Sequence, residues 1–367
     1  MSETKKQIKV SAEDLKALVI SLSKKNGISE EDSTTFAECL IDANLCGIDT
    51  HGVSRLSIYL KRIKLGLINT NPNMKFEQRF PTAAVLDANN GLGQIAGVKA
   101  INEAVKIAQK YGVGAVGIKN SQHFGVLGYY CGLAAQSEVI SLGYTNAEPA
   151  LPAYGSYEAY FGTNPVAMGV PCGSSNPIII DLSTSIVARG KIISASKQKI
   201  KIPEGWALDQ EGNPTIDPDK ALAGSVLTMA GPKGYALAMM VDILSGIISG
   251  SGNGKNVNSM YKDLNHPANV GHFFICLNIE AFNSKEIFFK RVNDMKDDLR
   301  KSVKRKGVSE IRIPGENKLR VRIEREKEGI PLNESIIKEL RELAEQNGVG
   351  SELFNSLSIY NENKNTN

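Results

Sequence analysis

The sequence predicts an α/β fold that carries a small helical unit at its N-terminus. Two helix starts open the chain, because Ser11 and Ser29 each precede acidic residues and an apolar stripe at helical spacing. Short β-branched runs then alternate with glycine-rich turns and apolar helices, as in a sheet covered by helices. After the predicted strand 83–88, the glycines have the spacing GxGxxxG and not the GxGxxG of Rossmann folds.

The composition excludes several classes of protein. The chain has 367 residues, 42% of them apolar, which is enough for one large or two modest domains. A net charge of +4 with dispersed lysines and arginines predicts neither a nucleic acid nor a membrane as partner. No apolar run approaches the roughly 18 residues of a membrane span. Five cysteines, far apart and without a CxxC pair, predict reduced thiols in the cytoplasm and no metal site.

The chain divides into four parts by pattern. Residues 1–75 form the helical N-terminal unit, which we expect to pack with the C-terminal helices of 285–350. Residues 76–284 form the α/β core. The Asn- and Lys-rich residues 351–367 predict a disordered tail.

His123 is the first candidate for chemistry. The apolar run 113–118 predicts a buried strand, and the polar residues 120–123 follow it as a loop. Ligand sites of open α/β sheets lie at the carboxyl ends of strands. A neutral imidazole there is a suitable general base. The alternative is a helix-capping or partly buried structural histidine.

A second histidine stands beside an arginine and a tyrosine. If residues 53–66 are helical, Arg55 and Tyr59 share a face. The planar guanidinium of Arg55 suits a carboxylate, and His51 can donate to the same small anion. The alternative is an exposed arginine beside a capping histidine.

Three further segments suit a cofactor. Thr163 and Asn164 offer polar groups next to a glycine, and Lys233 stands between glycines at a predicted helix start. Asp181 ends an apolar strand, where an acid can bind ribose hydroxyls before a Ser/Thr run that can meet phosphates. Alternatively, Asp181 caps a helix over 184–191.

Six segments together resemble one enzyme family, namely GIDTHGVSRLSIY, NSQHFG, YFGTNP, IIIDLST, GPKGYALAMMVDIL and IPGE. In this order they are similar to the malate/L-lactate dehydrogenase family, which is separate from the Rossmann-fold lactate and malate dehydrogenases. Within it, ALDQEGNPTIDP and SMYKDLNHPANVGHFFICLN are most similar to the ureidoglycolate dehydrogenase branch. That branch would oxidise (S)-ureidoglycolate to oxalurate in allantoin degradation. Other branches act on malate, lactate or sulfolactate.

The resemblance implies a non-Rossmann NAD(P)-binding fold, a homodimer, and oxidation of a 2-hydroxy acid with NAD, NADP remaining an alternative. It implies that His123 is the catalytic base and that His51, Arg55 and Tyr59 bind the substrate. A non-catalytic ligand-binding protein of the same fold is the alternative from another class. The implied cofactor contacts are Ala147, Thr163, Asn164, Asp181, Leu182, Ser183, Lys233, Gly234, Gly315 and Glu316. At Ala147 the branch carries a serine, so only a backbone contact can survive there.

Overall fold

The computed structural model describes residues 7–350, and its α/β architecture confirms the predicted fold class. Both predicted helix caps are present. The Ser11 hydroxyl accepts the backbone N–H groups of Glu13 and Asp14, and the Ser29 hydroxyl accepts that of Asp32. The helices are α1 (Ala12–Lys25), α2 (Glu30–Leu45), α3 (Leu56–Lys64), α4 (Gly93–Tyr111), α5 (Leu127–Gln136), α6 (Arg189–Gln198), α7 (Pro218–Ala223), α8 (Pro232–Asp242), α9 (Lys285–Lys301), α10 (Glu316–Glu328) and α11 (Glu334–Gln346).

Seven of the fourteen strands within residues 7–350 form a mixed sheet in the order β2-β3-β4-β13-β5-β8-β9. The strands are β1 (Gln7–Val10), β2 (Lys75–Phe80), β3 (Ala83–Asp87), β4 (Val113–Ser121), β5 (Val139–Thr145), β6 (Leu151–Pro152), β7 (Ala159–Phe161), β8 (Val166–Cys172), β9 (Ser175–Leu182), β10 (Ala207–Leu208), β11 (Pro214–Thr215), β12 (Ser225–Val226), β13 (Val270–Asn278) and β14 (Ile330–Asn333).

Strand directions bring three chain segments to one edge of this sheet. Strand β13 is antiparallel to both β4 and β5, so β4 and β5 run the same way. Strand β8 is antiparallel to both β5 and β9, so β9 also runs that way. The loops that follow β4, β5 and β9 therefore leave the sheet at a common edge, as sites in open α/β sheets do.

Glycines let helix α4 and strand β4 approach closely. A side chain at Gly114 would place its Cβ 2.3 Å from the carbonyl oxygen of Ala104 in α4. Gly112, Gly114 and Gly117 do match the spacing GxGxxG, but they lead into and lie within β4 instead of joining a strand to a helix. Gly114 therefore serves helix–strand packing, and the three glycines do not form a Rossmann phosphate loop.

The N-terminal unit is completed by the C-terminal end of the described chain. Strand β1 pairs with β14, and α11 packs into the same apolar core as α1, α2 and α3. The prediction placed all of 285–350 against this unit. Helix α9 instead packs on the far side of the sheet, where Phe288 and Val292 contact Val170 and Ile178. The predicted tail 351–367 lies outside the described residues.

Residues 66–82 contain β2, which pairs with β3. One local prediction is wrong. No helix covers 184–191, so Asp181 has no helix to cap. Helix α6 begins only at Arg189.

Residues 7–350 contain neither a membrane-spanning helix nor a cluster of potential metal ligands. Within residues 7–350, every helix is too short or too polar to cross a bilayer. The same part of the chain contains no group of three His, Cys, Asp or Glu side chains arranged to hold a metal ion.

Candidate active site

His123 lies in the loop that leaves β4, at the common edge of the sheet. Its Nδ1 is 2.5 Å from the hydroxyl oxygen of Tyr59, which α3 presents from the N-terminal unit. Tyr59 is fully buried, whereas His123 is half-buried and lines a cavity. With Nδ1 engaged by Tyr59, Nε2 is the ring nitrogen left to accept a proton from a ligand.

His51 and Arg55 lie beside His123. The rings of His51 and His123 stack with their centroids 5.5 Å apart. His51 Nδ1 is 2.9 Å from the hydroxyl of Thr50, and Arg55 Nε donates to the carbonyl of Thr50 at 2.6 Å. Two short 3₁₀ turns over 49–55 thus orient both side chains. The structure therefore brings His51, Arg55 and His123 together, as the sequence-based grouping predicts.

Burial keeps both imidazoles neutral. It lowers the pKa of His51 to about 4, and the positive charge of Arg55 lowers it further. Burial, with His51 and Arg55 as positive neighbours, also lowers the pKa of His123 well below its ordinary value. At neutral pH His123 is therefore unprotonated, which is the form that a proton acceptor requires.

Two adjoining cavities form one elongated groove. The first has a volume of about 400 Å³ and is lined by His51, Arg55 and His123, and by five of the ten predicted cofactor contacts. The second, of about 370 Å³, shares Lys318 with the first and is lined by Gly315 and Glu316. A two-part groove of this size fits an extended dinucleotide with a small substrate at one end. The predicted cofactor contacts that line the first cavity are Ala147, Thr163, Asp181, Leu182 and Ser183.

Three predicted cofactor residues line neither of these two cavities. Lys233 is exposed at the start of α8, and Gly234 is buried against Met229. Asn164 is fully buried, and its side-chain amide donates to the carbonyl of Ala238. Asn164 therefore ties the loop before β8 to α8, and Gly234 lets Met229 pack closely against the start of α8.

Asp181 is paired with a residue that the sequence pattern did not indicate. Lys318 of α10 approaches its carboxylate at 3.0 Å, and both side chains line the first cavity. Because 137 residues separate them, no spacing rule relates the two. The ammonium group of Lys318 compensates the negative charge of Asp181 at the end of β9, where ribose hydroxyls are predicted to bind.

Sequence reasoning also did not identify Glu148, Arg189 and Tyr261, which line the first cavity. Glu148 follows β5, and its carboxylate binds Arg189 at 3.1 Å. Tyr261 lies under the guanidinium of Arg55, 5.1 Å from the ring centroid. The buried Arg62 of α3 holds the loop of Tyr261 by donating to the carbonyls of Asp263 and His266. The polar loop 146–149 after β5 is the one sequence feature that could have indicated Glu148.

Comparison with known proteins agrees with this geometry. A family model described as malate/L-lactate dehydrogenase matches residues 10–341. The chain belongs to this family. It is accordingly a 2-hydroxy acid dehydrogenase. The structure of malate dehydrogenase from Entamoeba histolytica superposes with a TM-score of 0.90 at 32% identity, covering 94% of this chain and 99% of that one.

Curated relatives in the family carry different substrate names. L-sulfolactate dehydrogenase from Methanocaldococcus jannaschii is 39% identical over 93% of this chain and 97% of its own length. Ureidoglycolate dehydrogenase (NAD(+)) from Escherichia coli K12 is 35% identical over 84% and 88%. (2R)-3-sulfolactate dehydrogenase (NADP(+)) from Chromohalobacter salexigens is 32% identical over 91% and 98%. Overall similarity therefore places the chain among 2-hydroxy acid dehydrogenases that use NAD or NADP, without selecting a substrate.

Proposed function

We propose that His123 is the general base of a hydride-transfer dehydrogenase. Its free ring nitrogen faces the cavity beside Arg55 and His51, so it can take the hydroxyl proton of a 2-hydroxy acid. A bound nicotinamide supplies the acceptor for the hydrogen on the same carbon. The single observation that carries the proposal is a neutral, half-buried histidine next to an arginine that has no carboxylate partner within residues 7–350.

Arg55 binds the substrate carboxylate in this proposal. Its Nε is used by the carbonyl of Thr50, which leaves the terminal nitrogens directed at a ligand. Stacking on Tyr261 holds the guanidinium plane. His51 supports the same carboxylate, and Tyr59 acts through His123 because its buried hydroxyl contacts the ring and not the cavity.

NAD is the proposed cofactor, with NADP as the alternative. Ala147, Leu182 and Ser183 would hold its nicotinamide half in the first cavity, and Gly315 and Glu316 would hold the other half in the second. Lys318 stands at the junction of the two cavities and also neutralises Asp181. Asp181 can then meet ribose hydroxyls without a full uncompensated charge.

We propose (S)-ureidoglycolate as the substrate and oxalurate as the product. Support comes from the residue pattern of the segments 207–218 and 259–278 and from the E. coli relative. Malate or sulfolactate is the second candidate, supported by relatives of equal or higher identity.

We further propose a homodimer that works in a reducing compartment such as the cytoplasm. Met240, Ile243 and Ile247 follow one another at three- and four-residue spacing along α8 and its π-helical extension, and all three are exposed. An exposed apolar row of this kind marks an interface, here with a second copy of the chain. The five cysteines are free thiols, which supports the reducing compartment.

A substrate panel tests the reaction. Purified protein is mixed with NAD or NADP and with ureidoglycolate, malate, lactate or sulfolactate, and NAD(P)H absorbance is followed. We expect reduced cofactor to form with at least one acid. NADH fluorescence that changes on binding, without turnover of any acid, would indicate the non-catalytic alternative.

A further inference from the structure

Only one of the two carboxylate oxygens of Glu148 has a hydrogen-bond partner among residues 7–350. One oxygen binds Arg189 at 3.1 Å. The other oxygen, Oε2, is shielded from solvent and has no hydrogen-bond partner among residues 7–350. A buried acceptor without a partner is costly, and native structures rarely keep one without a purpose. Because Glu148 lines the first cavity, a ligand there can supply the missing donor.

The charges that line the first cavity indicate how many anionic groups a ligand can carry. Arg189 is paired with Glu148, and Lys318 is paired with Asp181. Arg55 remains as the one lining arginine or lysine, within the described chain, that has no carboxylate partner. The cavity therefore offers one cationic position for one carboxylate.

Tyr261 interacts with both Arg55 and Glu148, and all three residues line the first cavity. The Arg55 guanidinium stacks on its ring. Burial raises the pKa of Tyr261, while the positive charge of Arg55 opposes the rise and the negative charge of Glu148 adds to it. Both charged groups thus act on one phenol that lines the cavity. A ligand bound to Arg55 by its carboxylate would therefore lie in the same cavity as Glu148.

We propose that Glu148 is a specificity-determining residue that accepts an N–H group from the neutral tail of a 2-hydroxy acid. The inference rests on the proposed function and names its substrate class: one carboxylate at Arg55, and an amide or ureido tail at Glu148. Ureidoglycolate has this constitution. Malate and sulfolactate would instead bring a second negative group towards the Glu148 carboxylate, which disfavours them by like-charge repulsion.

The variant Glu148→Gln tests the inference because it keeps the shape of the side chain and removes its charge. The quantity to measure is the ratio of kcat/KM for ureidoglycolate to kcat/KM for malate. We expect this ratio to fall roughly 10- to 100-fold, since a charge-assisted hydrogen bond is lost and repulsion of the second anion is relieved. Glu158→Gln is the matched control, because Glu158 is exposed and pairs with Lys255 away from the cavity. It should leave the ratio within about twofold.

Calorimetry with oxalurate and NAD supplies a second readout that needs no turnover. We expect Glu148→Gln to weaken oxalurate binding about tenfold or more. Three results would overturn the inference: a wild-type preference for malate or sulfolactate, equal loss with all acids, or a rise in the KM of NAD alone. If no acid is oxidised, the proposed function fails, while oxalurate binding by wild type and variant still tests the role of Glu148.

Discussion

Two histidines at one edge of the sheet differ in what their ring nitrogens contact. His272 in β13 is fully buried, with Nε2 2.9 Å from the Ser121 hydroxyl and Nδ1 2.7 Å from that of Thr145. Its ring stacks on Phe124 at a centroid distance of 3.8 Å. His123 is bonded at Nδ1 only, and the rest of its ring faces the cavity.

This difference separates a structural imidazole, that of His272, from the proposed general base, His123. Burial depresses the pKa of both rings, to about 3 for His272 and well below the ordinary value for His123. A depressed pKa therefore does not distinguish them. The distinction lies in the unused nitrogen, because a ring that is bonded on both sides has no lone pair for a substrate.

The largest effect is expected from His123→Ala. Removing a placed general base lowers kcat by roughly 10²- to 10⁴-fold. NADH binding, followed by fluorescence titration, should change little because the ring serves the substrate side. Turnover within tenfold of wild type would reassign the base.

His272→Ala is expected to act on stability instead. The change opens a cavity beside Phe124 and removes the hydrogen bonds of the His272 ring to the hydroxyls of Ser121 and Thr145, which costs about 2–4 kcal/mol of unfolding free energy. Urea denaturation measures the loss. His266→Ala is the control, since the His266 side chain is exposed and should change stability by less than about 0.5 kcal/mol. A folded His272→Ala enzyme that had lost as much kcat as His123→Ala would remove the distinction between the two rings.

Tyr59→Phe should give a smaller effect, confined to turnover. For Nε2 to accept the substrate proton, Nδ1 must carry its hydrogen and donate it to the Tyr59 hydroxyl oxygen. Loss of one such hydrogen bond is expected to lower kcat about three- to tenfold. KM for the acid should stay near its wild-type value, because Tyr59 does not line the cavity. Steady-state kinetics separate the two parameters, and a rise in KM alone would make Tyr59 a substrate contact.

The smallest effect is expected in the pH dependence of kcat/KM. Because the pKa of His123 is lowered, the neutral base persists as the pH falls below the ordinary histidine value of 6.5. We therefore expect kcat/KM for oxidation to be nearly flat between about pH 5.5 and 8 at saturating cofactor. An inflection near 6.5 in that profile would show that the ring titrates as an exposed histidine.

The sequence predicted those features that depend on residues close together in the chain. Ser11 and Ser29 cap their helices as expected, and the loop after β4 presents His123 where the strand ends. Tyr59 lies in α3 and Arg55 in the 3₁₀ turn just before it, and both side chains lie near His123 as the sequence predicts. Periodicity and cap chemistry depend on neighbours in the chain, so one sequence suffices to find them.

Residues that meet only through the fold could not be found in this way. Glu148 and Arg189 are 41 positions apart, and Lys318 reaches Asp181 across 137 positions. Conversely, Lys233 has a local pattern suited to an anion, yet it is exposed and lines neither cavity of the groove. Long-range ion pairing depends on the tertiary arrangement, and no spacing rule carries that information.

The pairing of β1 with β14 has a consequence for biosynthesis. Residues Gln7–Val10 find their partner in Ile330–Asn333, so the module that presents Arg55 and Tyr59 stays unfinished until nearly all of the chain has left the ribosome. Contacts of such high sequence separation form slowly, because a long loop must close first. The nascent polypeptide therefore completes the module that carries Arg55 and Tyr59 after the central sheet can already assemble.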